Sequence, residues 1–441
     1  MSEAVFDPNK VHNKATFNTG KIVFGGLFGD EGKGKIVDIT CADYKKRGKK
    51  ILSIRGQGSG NAGHTVEVNG KKYDFHYLTS AGLEADIMLL GAGMLIDPIR
   101  VLKEAEKLPE DKRSIIMIDE RATVCCDLDR SMDAWLENQR ADCGGKIVGT
   151  TKSGVGPAAA VRSQRDHVTF ADALECADAD ELYDKLINRP GTPLCVLATM
   201  TRKYAAELFE AIHKLNIVNS ADVITRCRNE DYAILLEVSQ AVLLDPLFGN
   251  GGHFVTSTPC TDIGAAAFAG LTLNDFSDGS TMVLKAYASK VGGGPFPTMF
   301  KDNESAIADI IYNTVGERGV TTGRKRSLGW FDGVGVRASI LRTNCREICV
   351  NCFDIIPKIA AATDTLKVCW GYREISTGKV TYTWPYNLSK FEPVYLEMSI
   401  KGKSDDQIIT EYRNLIEHVI GRKIDWIGMG PSREDLIKVS G

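Results

Sequence analysis

No uninterrupted apolar stretch among the 441 residues approaches the roughly 18 that a membrane helix needs, which predicts a soluble chain. Charge of one sign is not in excess either: 54 Lys+Arg against 57 Asp+Glu leave −3. That balance excludes a chain that binds nucleic acid mainly through phosphates. The first twenty residues have no apolar segment of the kind a secretory signal requires, and carry Glu3, Asp7, Lys10, His12 and Lys14. A polar extension over residues 1–20 and a cytoplasmic location are the expectation. No fixed-period repeat or low-complexity linker divides the rest, so residues 21–441 read as one catalytic unit. Twelve cysteines do not suggest an oxidised scaffold, because most sit inside apolar runs. Cys349 and Cys352 have CxxC spacing beside Cys345, but a zinc site needs a fourth ligand and usually a second short-spaced pair. Structural thiols are therefore expected.

What is present is a series of short apolar runs with helical stretches between them. They begin at Lys21, Ile51, Ile87, Ile115, Leu194 and Ala233, and each is continuous rather than alternating. Continuous runs suit strands buried on both faces, which predicts an α/β fold with a central, mostly parallel sheet flanked by helices. Residues 98–108 and 405–420 have helical spacing and supply crossovers. Glycine, 43 in all, clusters at 25–34, 56–63, 249–252, 292–294 and 428–430, which points to backbone that approaches a ligand closely.

Five segments carry chemistry. Residues 29–35, GDEGKGK, follow a strand and open a helix, where backbone N–H groups cradle phosphate. The segment fits G-x-x-x-x-G-K, yet Ile36 stands where a Walker loop places its metal-binding Ser or Thr. Asp30 is then the obvious oxygen donor for a metal. The second segment, 55–65, offers Asn61 for amide recognition and His64 as an acid or hydrogen-bond donor. In the third, Thr150 and Thr151 precede a glycine turn, with Arg162 and Arg165 downstream. The fourth sets Arg324, Lys325 and Arg326 around Gly323, and paired arginines grip a carboxylate or phosphate. The fifth ends a strand at Asn351-Cys352-Phe353-Asp354, where an aspartate can read guanine N1–H and its amino group. Each alone also reads as an ordinary turn, a solvated basic loop or a satisfied histidine.

Together and in this order they resemble the adenylosuccinate synthetase family, from about residue 21 to 437. The most specific parts are GDEGKGK (29–35), NAGHT (61–65), GTT-x-x-G-x-GP (149–157), VGGGPFPT (291–298), TTGR-x-R (321–326), GW-x-D (329–332) and GMGP (428–431). The resemblance implies a GTP-dependent ligase that joins IMP to L-aspartate, with Mg²⁺ and a P-loop-like phosphate segment. It implies that Asp30 is the general base and a metal ligand with the Gly63 carbonyl, and that His64 is the acid, with Lys33 and Gln240 also catalytic. GTP would meet Gly29, Asp30, Glu31, Gly32, Lys33, Gly34, Lys35, Gly63, His64, Thr65 and Arg326. Cys352, Phe353, Asp354, Gly428, Met429 and Gly430 would surround its guanine. IMP would meet Asp30, Asn61, Ala62, Gly63, His64, Thr151, Gln240, Thr256, Val291 and Arg324, with Arg165 reaching it across a homodimer interface. Val320, Thr321, Thr322, Gly323, Arg324 and Arg326 would bind aspartate. Departures from the family pattern are Cys352 for a lysine, Ser153 for an arginine and Phe28 for a tryptophan. The 249–256 segment is also one residue longer. The competing readings are a regulatory GTP-binding switch and an inactive scaffold. Ile36 and the separate arginine pair count against the first, and Asp30, His64 and Gln240 against the second.

Overall fold

The computed structural model describes residues 14–61, 63–68, 71–144, 148–249, 253–318, 323 and 325–439. Eleven strands form its main sheet. Ten lie in the order Leu436–Lys438, Trp426–Gly428, Cys345–Asn351, Ser280–Lys285, Gly20–Gly25, Ala233–Ala241, Ile51–Gly58, Ile87–Ile96, Ile116–Asp119 and Ile217–Val218. Thr123–Val124 pairs beside the end of Ile87–Ile96. Pairing is parallel throughout except between Trp426–Gly428 and Leu436–Lys438 at one edge.

The apolar runs are continuous because both faces of this sheet are covered. Successive side chains point to opposite faces, so Ile22 and Phe24 join one core while Val23 joins the other. Leu52 and Ile54 divide from Ile51 in the same way, and Ile234 and Leu236 from Ala233 and Leu235. One run departs from the sequence expectation: residues 194–197 form a short helix, Leu194–Leu197, not a strand. Pro190, Gly191 and Pro193 precede it, and only Val196 of the four is buried. A four-residue apolar run carries no periodicity that separates the two states. The helices over 98–108 and 405–420 are present as Pro98–Ala105 and Asp405–Ile420.

A smaller sheet joins Phe331–Asp332, Thr365–Glu374, Val380–Thr381 and Phe391–Ser399. Two hairpins complete the strands: His64–Val68 with Lys71–Phe75, and Ala288–Lys290 with Ser327–Gly329. No cysteine is in a disulfide, no cluster of three or more metal-ligating side chains occurs among the described residues, and no helix there is long and apolar enough to cross a membrane.

Candidate active site

In open parallel sheets, ligands bind outside the carboxyl ends of the strands. Six contiguous strands of this sheet deliver the chemistry-bearing segments there: residues 26–32 after Gly20–Gly25, 59–64 after Ile51–Gly58, Gln240 in Ala233–Ala241, 286–291 after Ser280–Lys285, 352–354 after Cys345–Asn351, and 428–430 at the end of Trp426–Gly428. Sequence-distant loops meet because their strands are neighbours.

The phosphate loop leads into the helix Lys33–Lys46. Its N-cap is Gly32, at φ 89° with no side-chain cap, so the first helical N–H groups remain free for an anion. A Cβ on Gly32 would stand 2.8 Å from Asn351 Nδ2, so both conformation and space require glycine. Asp30 is held at φ 60°. Of the six described non-glycine residues with positive φ, Asp30, Arg165, Gln240 and Cys352 are site residues expected from the sequence. Such backbone persists where surrounding structure enforces it, and it clusters at functional positions.

Glu31 turns inward. Its Oε1 accepts the Leu27 and Gly29 N–H groups at 3.2 and 2.8 Å, and its Oε2 takes Lys33 Nζ at 3.0 Å. The Glu31 carbonyl accepts Asn351 Nδ2 at 2.8 Å, and Lys35 Nζ donates to the Gly430 carbonyl at 2.7 Å. Burial lowers the Lys35 pKa. The phosphate loop is thereby fastened to the segments expected to read guanine.

A single cavity of about 680 Å³ is lined by Gly29, Asp30, Gly32, Lys33, Gly34, Lys35, Asn61, Gly63, His64, Thr151, Gln240, Thr256, Val291 and Arg326. These are most of the residues expected at the phosphates and IMP, with Arg326 from those expected at aspartate. Thr65 contributes backbone to the adjoining hairpin. Ala62, Val320, Thr321, Thr322 and Arg324 lie outside the described residues, as does the Thr65 side chain. Around them, Arg318 bridges Lys325 and donates to the Gly323 carbonyl at 3.3 Å, so the ends of that loop are clasped. The Thr150–Thr151 loop rests on two buried carboxylates one turn apart on a helix. Gly154 N–H donates to Asp133 at 3.1 Å and Gly149 N–H to Glu137 at 2.6 Å.

His64 Nδ1 is 2.6 Å from Glu237 Oε1 and 2.9 Å from Ser80 Oγ, and its Nε2 is 3.4 Å from Arg55. Burial pushes the Glu237 carboxyl up, but His64, Arg55 and the Ser80 N–H outweigh it and pull it down to about 2. An ionised Glu237 accepts, so Nδ1 carries a proton and Nε2 is left for chemistry. Asp30 Oδ2 receives Arg326 Nε at 3.0 Å and its terminal amine at 2.9 Å. The other end of Arg326 is fixed by Glu317, which is fully buried and also holds Lys285 Nζ at 2.6 Å and the Tyr287 hydroxyl. Burial again opposes ionisation, and Lys285 and Arg326 reverse it, lowering Glu317 to about 2. Glu237, Arg55, Glu317, Lys285 and Tyr287 were not singled out in the sequence. Four of them are polar side chains within or just beyond buried parallel strands, and Glu317 follows the helix Ser305–Val315.

The remaining expected residues stand apart from the cavity. Val350 pairs with Ile427, which sets 352–354 beside 428–430. A Cβ on Gly428 would lie 2.3 Å from Asn351 Oδ1, and one on Gly430 2.4 Å from Asp435 Oδ2, so neither position admits a side chain. Phe353 is buried edge-on to Tyr412, Asp354 is half-buried, and Met429 N–H bonds the Asp435 carbonyl at 2.8 Å. The Cys352 thiol is pushed up to about 11 by burial, with Lys285 opposing and Glu317 reinforcing. It faces the Tyr287–Glu317 knot. Arg165 caps the helix Val155–Gln164 at φ 70°, exposed and outside the cavity wall.

A family model described as adenylosuccinate synthetase matches residues 22–437. The chain belongs to the adenylosuccinate synthetase family. It is 33% identical to the adenylosuccinate synthetase of Caldicellulosiruptor saccharolyticus over 442 residues, 95% of this chain and 98% of that one. With the enzyme of Alkaliphilus metalliredigens the identity is 32% over 444 residues, 94% and 98% of the two chains. Among solved structures, fully ligated adenylosuccinate synthetase from Plasmodium falciparum has the same fold. Its TM-score is 0.83 at 24% identity, covering 95% of this chain and 99% of that one. Cyanophage S-2L succinoaminodeoxyadenylate synthetase, bound to dGMP and to dATP as energy donor, matches at TM-score 0.59 and 18% identity over 96% of each chain. Membership accounts for the mostly parallel sheet and for the order in which the motifs meet the cavity.

Proposed function

We propose that the cavity joins IMP to L-aspartate, forming adenylosuccinate at the expense of GTP, as the family to which the chain belongs does in AMP biosynthesis. One observation carries the residue-level reading: Asp30, His64, Lys33, Gln240 and Arg326 line the same cavity, Asp30 paired with Arg326 and His64 held by Glu237.

The chemistry requires two steps, because an amine cannot expel oxide from C6 of a purine. Asp30 takes the N1 proton, and O6 attacks the γ-phosphorus as GDP departs. The aspartate amine then adds at C6, and phosphate leaves with the oxygen that was O6. Lys33 and the amides at the start of the Lys33–Lys46 helix hold the phosphates, and His64, protonated at Nε2 as well as Nδ1, donates from Nε2 toward the transferring group. Arg326, already charged and anchored by Glu317, is placed to receive the aspartate carboxylate. The Asp30 carboxylate and the Gly63 carbonyl, hard oxygens of two residues that line the cavity, would hold a Mg²⁺ ion, which would neutralise charge on the phosphates. The working location is cytoplasmic.

Omitting each substrate in turn from a coupled assay tests this reading. Phosphate release should require IMP, GTP and aspartate together, and release without IMP or aspartate would contradict it. The cyanophage protein's dATP makes base choice a question of residues, not fold. Guanine offers Asp354 two donors where adenine N1 offers an acceptor. At about 1.5–3 kcal/mol per hydrogen bond to a charge, GTP should exceed ATP by about 10²-fold or more in kcat/KM. Equal values would remove Asp354 from that role.

The active unit is a homodimer in this proposal, because exposed Arg165 has no place in its own cavity wall. Chains carrying Arg165→Leu and Asp30→Asn should each be inactive alone. Mixed and allowed to exchange, they should regain activity through sites that contain neither substitution, and no recovery would contradict a shared site.

A further inference from the structure

Lys290 ends the strand Ala288–Lys290 and lies opposite Ser327, the residue after Arg326. Its neighbour Val291 lines the cavity, as Lys290 itself does, and only 3% of Lys290 is exposed. Its Nζ donates to the Gly293 carbonyl and lies 5.8 Å from the Phe28 ring centre and 5.7 Å from that of Phe254. Gly293 N–H in turn bonds the Val148 carbonyl at 3.1 Å, beside the Thr150–Thr151 loop. The ammonium therefore stands between the loop expected to hold IMP and the strand that carries Arg326.

What it lacks is an anion. Three other buried cations have one: Lys285 and Arg326 share Glu317, and Arg189 has Asp129. Among the described side chains, no carboxylate pairs with Lys290, whose environment contributes burial alone. A carbonyl and two ring faces leave a desolvated ammonium incompletely compensated.

We propose that Lys290 is an anion-binding residue of the substrate cavity, taking an anionic oxygen from either the IMP phosphate or the aspartate carboxylate. The inference rests on the proposed ligase function, which brings both anions into this cavity. Burial alone lowers the Lys290 ammonium to about 8, so an anionic oxygen beside it would restore the charge that burial disfavours.

Lys290→Met, Lys290→Gln and Lys290→Arg, assayed as full chains beside the wild type, test it. Either neutral variant should raise KM for IMP or for aspartate at least tenfold, and which of the two rises names the anion. KM for GTP should stay within threefold, and Lys290→Arg should bring the raised KM back to within threefold of wild type. Lys290→Met should hold or raise Tm, because it removes a desolvated charge. In the wild type, kcat/KM for that substrate should fall above about pH 8. Asp30 and Lys33 of the phosphate loop, Asp133 and Arg140 of the underlying helix, His253 and Arg326 face the same cavity. Only a limb that moves to higher pH in Lys290→Arg belongs to Lys290. A purely structural strut predicts lower Tm and equal loss for all three substrates. That outcome, or IMP and aspartate KM values within threefold of wild type in both neutral variants, would overturn the proposal. Absence of wild-type ligase activity would instead overturn the function on which it rests.

Discussion

Asp30→Asn is expected to lower kcat by about 10⁴-fold or more while the chain still folds. General acid–base groups contribute about 10²- to 10⁴-fold, and this substitution removes an anionic metal ligand together with the base. The amide keeps the size and can still occupy the φ 60° backbone, since Asn tolerates the left-handed region. The scaffold survives because Arg326 does not depend on Asp30 for its position: Glu317 and its bonds to Lys285 and Tyr287 remain. IMP and GTP should therefore still bind. A variant that kept more than a tenth of wild-type kcat would contradict the assignment.

His64→Asn should lower kcat by about 10²- to 10³-fold with KM for IMP and GTP within a few-fold, because its acid role lies in the phosphoryl step. The side chain it replaces is oriented by one contact above the others, Nδ1 to the ionised Glu237 at 2.6 Å. Glu237→Gln leaves an acceptor but removes the charge. A hydrogen bond to a charged group is worth about 1.5–3 kcal/mol, so kcat should fall about tenfold or more in this variant. Glu237 is a positioning residue, and its effect should vanish in a His64→Asn background. Independent, multiplying losses would show that Glu237 acts by another route.

The phosphate loop, the Asn61–His64 loop and the Thr150–Thr151 loop were legible in the sequence because their function is local. A glycine at a strand end, a short hydroxyl run or an Asp at a forced backbone angle carries its pattern within ten residues. The sheet was legible for a related reason: strands buried on both faces leave continuous apolar runs. Leu194–Leu197 misled because four apolar residues after a proline-rich turn have no period to read. Glu237 and Glu317 were hidden for a different reason. Glu237 is a lone charge inside an apolar strand and Glu317 one just past an apolar helix, and each has a partner far away along the chain: His64 for one, Lys285 for the other. Only the tertiary fold brings them together. The contact of the Cys352 thiol with Tyr287 was likewise hidden, because the two residues are 65 positions apart along the chain.

The route through a phosphorylated O6 can be followed directly with IMP labelled with ¹⁸O at C6, incubated with GTP, aspartate and Mg²⁺. If Asp30 activates O6 toward the γ-phosphate, one ¹⁸O should appear in each phosphate released, in step with adenylosuccinate. Label recovered in water, or phosphate released with the label still in IMP, would contradict the account.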